Sequence, residues 1–240
     1  MVDRSGTPAA SPRQRWRLVF ARDDAARDLA HSDSVRLWER ALGDAGVPIA
    51  MGGGSTPRPR LAFASPLPPG MLGERELVDV FLAERLTLSE LRARLRTGLP
   101  EGYRLVDLHD VWLGEPAVTA RLVAADYRTA VHGASRPELA QACAMLIAAD
   151  SLDRTRQKGE GRSVTYDLRP LLFRLGVGVP ASSGAETEGS VPVRMRLGLA
   201  QEGAMGRPDE VVLALGEVLG RQLRAEAVVR ERVLTTGEFA

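Results

Sequence analysis

Residues Leu61–Leu95 read LAFASPLPPGMLGERELVDVFLAERLTLSELRARL, and the order of elements they encode decides the fold. Leu61-Ala62-Phe63-Ala64 is a short apolar run with the look of a strand, closed by a proline cluster. Glu76 to Ala83 is a second strand, apolar at Leu77, Val80 and Leu82, with Asp79 as the exception. Thr87 and Glu90 then match a capping box, in which each satisfies an amide of the other at a helix start. The helix they open presents Leu88, Leu91 and Leu95 on one face.

Upstream, Trp16-Arg17-Leu18-Val19-Phe20 alternates like a half-buried strand. A helix follows, with Ser32 or Asp33 as its N-cap and Val35, Trp38, Ala41 and Leu42 facing a core. Gly46 and Pro48 stop it. Downstream, Tyr103 to Leu113 is again strand-like. The first half therefore runs strand, helix, strand, strand, helix, strand, which is the ferredoxin-like order.

The second half repeats this plan. Ala120 to Tyr127 is a strand, and Ser135 with Glu138 makes another capping box for a helix facing inward through Leu139, Ala142, Cys143, Leu146 and Ile147. Leu152 to Leu168 holds one or two strands around a basic turn. Val191, Val193, Met195 and Leu197 alternate with Pro192, Arg194 and Arg196 as a strand does. Pro208-Asp209-Glu210 opens a helix that ends near Gly220, and Glu226 to Leu234 supplies the last strand. The expected fold is α+β, a duplicated α/β sandwich of two ferredoxin-like βαββαβ halves spanning 15–114 and 115–235. Residues 1–14 read as a disordered tail and 176–190 as a mobile loop rich in Gly, Ser, Pro and Ala.

The chain has 240 residues, 44% of them hydrophobic and 26% charged, enough to bury a core. A net charge of +1 makes no global electrostatic case for nucleic acid, so any basic site must be a local patch. Lys158 is the single lysine, and the arginine richness fits either anion recognition or a GC-biased coding sequence. Cys143 is alone, which leaves no intramolecular disulfide, no paired-cysteine zinc site and no cysteine-ligated cluster. There is neither a signal-peptide pattern nor an apolar stretch of about 18 residues, so a cytoplasmic protein without membrane segments is expected.

Candidate site residues fall in three places. Met51–Pro69 carries three glycines and then Pro57-Arg58-Pro59-Arg60, with no acidic residue nearby; a flexible-then-rigid loop presenting Arg58 and Arg60 fits anion or RNA binding, or a plain connection. His31 and Asp33 could act as an acid–base pair, or simply pack and cap a helix start. Arg154, Arg156, Lys158 and Arg162, followed by Asp167 and Arg169 before Pro170, could form a phosphate-binding hairpin tip or a solvated one. Arg194 and Arg196 share one strand face. Aromatic residues are few, three Trp, three Tyr and five Phe, and the RNP-type strand signature of RNA-recognition motifs is absent. No P-loop, nucleophile elbow or HExxH motif occurs, and no metal or cofactor is expected.

Several blocks together resemble the radical SAM-linked (radical SAM-associated) protein family. They are His31 to Met71, the run Arg156 to Pro170 (RQKGEGRSVTYDLRP), and Gly203 to Val212 with its Arg-Pro-Asp-Glu-Val helix start. Ser32 stands where that pattern has leucine, and Ser55-Thr56 where it has Phe-Asn. The family is a domain of unknown function, found alone or joined to the C-terminus of B12-binding-type radical SAM enzymes. The resemblance implies that His31, Asp33, Pro57, Arg58, Pro59, Arg60, Lys158, Asp167, Arg169 and Pro170 match the family motifs. The expected function is an accessory domain of a separately encoded radical SAM enzyme, binding RNA or another anion, not DNA. Arg58, Arg60, Lys158, Arg162 and Arg169 would line a groove between the halves. A stand-alone enzyme using His31 and Asp33, and a protein-interaction module without nucleic acid, are the alternatives.

Overall fold

A computed structural model describes residues 11–53, 55–158, 162–179, 189–199 and 205–239. The chain divides after Arg121 into two compact units. The architecture is α+β, with four α-helices among the described residues.

The first unit contains β1 (Gln14–Arg22), α1 (His31–Asp44), β2 (Leu61–Phe63), β3 (Leu72–Leu82), α2 (Leu88–Gly98) and β4 (Tyr103–Val111). β1 lies antiparallel between β4 and β3, and the short β2 pairs antiparallel with β3. Alternation along β1 and β3 sends Trp16, Leu18, Val78 and Val80 under the helices, where Trp38 of α1 and Leu91 of α2 meet them. Structure starts earlier than the tryptophan: Gln14 is already in the strand, and the Arg13 amide donates to the Leu82 carbonyl at 2.8 Å. The remainder of the expected tail, residues 1–10, lies outside the described residues.

Two local expectations are corrected here. Ala30, with extended φ and ψ, is the N-cap of α1, and neither Ser32 nor Asp33 caps it; both lie inside the first turn. Leu88 is exposed rather than buried: Thr87 is the N-cap, and Leu88, the first residue of α2, faces solvent while Leu91 and Leu95 are buried. The box itself forms as expected, with the Glu90 amide donating to Thr87 Oγ1 at 3.3 Å and the Thr87 amide donating to Glu90 at 2.7 Å.

The second unit contains β5 (Leu122–His132), α3 (Arg136–Ala148), β6 (Asp153–Lys158), β7 (Arg162–Asp167), β8 (Leu172–Val177), β9 (Ser190–Gly198), α4 (Pro208–Leu219), β10 (Arg224–Ala225) and β11 (Val229–Thr235). β5 lies antiparallel between β11 and β9, β8 pairs antiparallel with the other edge of β9, and β10 adds two residues beside β5. β6 and β7 form a hairpin sheet of their own. The strand following α3 in this sheet is thus β8, which the sequence pattern does not mark; the expected strands at 152–168 are the separate hairpin. Of the expected loop at 176–190, Gly176 and Val177 end β8, Ser190 begins β9, and 180–188 lie outside the described residues.

Val193, Met195 and Leu197 of β9 are buried together with Leu139, Ala142 and Leu146 of α3 and Leu215 of α4. Cys143 belongs to the same buried helix face, and desolvation pushes its thiol up to about 11, so it stays protonated and inert. No described helix is long and apolar enough to cross a membrane.

Candidate anion-binding site

In the first unit, the glycine–proline loop is tied back on itself at its base. The Gly52 amide donates to the Arg58 carbonyl and the Arg60 amide to the Ala50 carbonyl, each at 2.8 Å. The Phe81 amide donates in turn to the Arg60 carbonyl at 3.2 Å, joining the loop to the end of β3. Gly52 does not use positive φ; Gly54 lies outside the described residues. Arg58 is exposed, and the Arg60 guanidinium stacks over the Phe81 ring at 4.4 Å. Neither arginine has an ion-pair partner among the described residues.

The proline cluster beyond β2 has an internal clamp. Buried Arg22 donates to the carbonyls of Leu67, Pro68 and Met71, tying the proline cluster to the end of β1. His31 sits edge-on to Phe63, with ring centroids 5.6 Å apart. Burial, and then the positive charge of Arg22, lower its pKa and favour neutral imidazole. Asp33 pairs with Arg36 at 3.5 Å and makes no hydrogen bond or ion pair with His31. The structure therefore does not bring this couple together. Fully buried Asp79, the polar exception in β3, accepts from Arg15 Nε at 3.1 Å and Arg17 Nε at 2.8 Å. Arg15 also donates to the Glu115 carbonyl at 2.7 Å, which fastens the segment after β4 onto the sheet.

In the second unit, the hairpin residues divide in their roles. Arg154 donates to both oxygens of Glu217 at 2.7 and 2.8 Å. Arg169 donates through all three guanidinium nitrogens to the carbonyls of Ala149, Leu172 and Ile147, capping the end of α3. Asp167 accepts from the amides of Leu152 and Arg169 at 2.7 and 2.9 Å. Arg154, Asp167 and Arg169 are thus engaged in holding the fold, a consequence of backbone groups that only the folded chain brings near them. Lys158 and Arg162 pair across the hairpin end, but their side chains lie outside the described residues, as do residues 159–161.

A further concentration of arginine lies on the sheet face of the second unit opposite its core. Since Val193, Met195 and Leu197 point inward, Arg194 and Arg196 point the other way. The pairing register sets Arg174 of β8, Arg196 of β9, Asp126 of β5 and Arg232 of β11 in one row across four strands. Arg196 Nε donates to Asp126 Oδ1 at 2.6 Å and Arg232 Nε to Oδ2 at 2.9 Å. Burial raises the Asp126 carboxyl, but hydrogen bonds from both arginines outweigh it and hold the pKa below the usual carboxylate value. In the next row Arg194 and Arg128 both approach Glu231, each at 3.3 Å. Arg174 has no partner among the described residues.

Together these strands line an open cleft of about 640 Å³, and among the described residues its charged lining is Arg174, Arg194, Arg196 and Arg232 with Asp126 and Glu231. The sequence pointed to Arg194 and Arg196 by their alternation. It missed Arg174, because β8 does not read as a strand, and Arg232, because the bulge in β11 breaks strict alternation. Among the described residues no three metal-type side chains converge.

A family profile described as "Uncharacterized protein conserved in bacteria (DUF2344)" matches residues 15–208. No curated protein matches the chain. Among solved structures, "Crystal Structure of a Cbf5-Nop10-Gar1 Complex" is 13% identical with a TM-score of 0.49, the match covering 90% of this chain. The chain spans about half (49%) of that solved chain, and the likeness is too slight to bear on fold or function.

Proposed function

The chain belongs to the DUF2344 family, and we propose that it is a binding protein for RNA, held through phosphates on the arginine-lined sheet face of its second unit. One observation carries the reading: four arginines from three strands open onto one cleft against two carboxylates, and Arg174 is left unpaired among the described residues. Guanidinium forks aimed at a shared open face suit a chain of phosphates better than an isolated small anion. Exposed Arg58 and Arg60, the second preformed over Phe81, are a separate set of anion contacts in the first unit. Binding is favoured over acid–base chemistry because His31 packs on Phe63 and Asp33 is turned to Arg36.

The two units are read as duplicated ferredoxin-like halves. What supports this is that β4-β1-β3-β2 and β11-β5-β9-β8 follow the same strand adjacency around the same succession of strands and helices, the β6–β7 hairpin being an insertion. Accessory work beside a separately encoded radical SAM enzyme rests on the sequence blocks alone, and a cytoplasmic setting on the apolar pattern of the sequence.

Fluorescence anisotropy with labelled tRNA and rRNA fragments tests the reading. Wild-type protein is expected to bind with strong salt dependence, and Arg174→Ala/Arg194→Ala to weaken it at least tenfold, with Arg58→Ala/Arg60→Ala reporting the first unit's share. Neither Arg174 nor Arg194 holds a core contact, so the fold survives the double variant. Unchanged affinity in that variant, or binding indifferent to salt, overturns the proposal.

A further inference from the structure

We infer that the arginine face takes a single-stranded nucleic acid, with one unpaired base stacked on Phe173 at the end of the arginine row; this rests on the reading of that face as the RNA site. Phe173 is 42% exposed, large for an aromatic side chain, and it neighbours cleft-lining Arg174. Strict alternation would put Phe173 and Arg174 on opposite faces, but the register of β8 on β9 slips between Leu172 and Arg174. The ring's position follows from Gly198. Gly198 lies two residues past Arg196, so its missing side chain would project on the arginine face. A Cβ built there would lie 3.3 Å from Phe173 Cε2. The phenyl ring therefore covers the bare backbone of Gly198 on the same side as Arg196.

The ring is also held in place. Phe239 packs against it with centroids 4.9 Å apart and planes at 66°. Phe239 belongs to the turn after β11, where its amide donates to the Thr235 carbonyl at 3.1 Å. Glu238 locks the same turn by accepting from the Thr235 amide at 3.0 Å and its hydroxyl at 2.8 Å. A restrained, exposed aromatic beside a row of guanidinium groups is the combination that single strands use: charge follows the backbone while a π-face receives a base. A duplex keeps its bases stacked internally and cannot offer one. The aromatic here arises from a bulge and a C-terminal turn, which is why no RNP-type strand signature announces it.

The test uses the full chain with fluorescein-labelled r(U)12, d(T)12 and a 12-base-pair RNA duplex, plus heparin as a polyanion without bases. Phe173→Leu keeps apolar bulk but removes the π-face; it is expected to weaken both single strands roughly 5- to 100-fold and to leave heparin binding unchanged. Phe173→Trp should bind like wild type, with its fluorescence quenched on adding r(U)12. Binding of either single strand supports base stacking on Phe173, with r(U)12 expected to be the tighter; tighter binding of d(T)12 would keep the stacking site and overturn the reading of the face as an RNA site. Equal affinity for duplex and single strand overturns it, as does a Phe173→Leu protein that binds r(U)12 like wild type while Arg174→Ala/Arg194→Ala is impaired. If the double arginine variant binds every probe normally, the reading of the face as an anion site is what fails.

Discussion

Arg22 carries its charge into the interior of the first unit and uses it to hold the carbonyls of Leu67, Pro68 and Met71. Truncating it removes the donor from all three carbonyls, that of buried Leu67 included, and leaves a cavity where the buried side chain lay, so Arg22→Ala should cost about 3 kcal/mol by urea denaturation. Arg22→Lys should recover only part of that, since one ammonium cannot reach carbonyls spread over five residues. A neighbour of this clamp, His31, gives the first unit a pH dependence. Its folded pKa lies below the ordinary 6.5, so the unfolded chain takes up the proton first. The associated stability is present above pH 6.5 and is lost as pH falls below it toward the folded value. Denaturation at pH 7.5 and 5.5 should show wild type losing more stability on acidification than His31→Gln. Residue by residue, the sequence identified the motif arginines but could not sort them. Arg169 and Arg58 look alike in one dimension; the first caps the end of α3 through two carbonyls and ties it to β8 through a third, and the second is exposed.

α1 and α4 show how single positions govern an element. Gly43 lies inside α1 with open space around it, whereas Gly220 ends α4 at φ +64. Gly43→Ala should therefore stabilise by roughly 0.5–1 kcal/mol through helix propensity. Gly220→Ala should instead destabilise by about 1 kcal/mol, because a Cβ is strained in the left-handed region. Thermal melts of the two variants should shift in opposite directions. The α3 cap has an acid signature. Hydrogen bonds from Ser135, and then Arg221, lower Glu138 from 4.5 to about 2. Its contribution is present above pH 4.5 and lost as pH falls toward 2, so Glu138→Gln should flatten the stability profile in that window. Elements with strong local chemistry were legible in advance: the two capping boxes, the alternation of β9, and the Pro208 start and Gly220 stop of α4. β8 was not, because Leu-Phe-Arg-Leu-Gly-Val has no clean alternation and becomes a strand by pairing with β9.

For the molecule as a whole, a net charge of +1 leaves little long-range pull on a polyanion, so affinity must come from the local face. The slope of log K against log salt should then be set by that face, and Arg174→Ala/Arg194→Ala should reduce it by about 0.7 for each phosphate that the arginines no longer neutralise. A slope unaltered by the double variant would place the phosphates elsewhere. Periodicity, caps and turn residues are short-range properties, and they sufficed to specify the α+β class and most helices and strands from the chain alone. The arginine face was not specified in that way. Asp126, Arg174, Arg196 and Arg232 are separated by tens of residues, and they become neighbours only through strand register, a bulge in β8 and another in β11. Register depends on which strands pair, a long-range choice made by burying the apolar faces, and so the site came into view only in the folded protein.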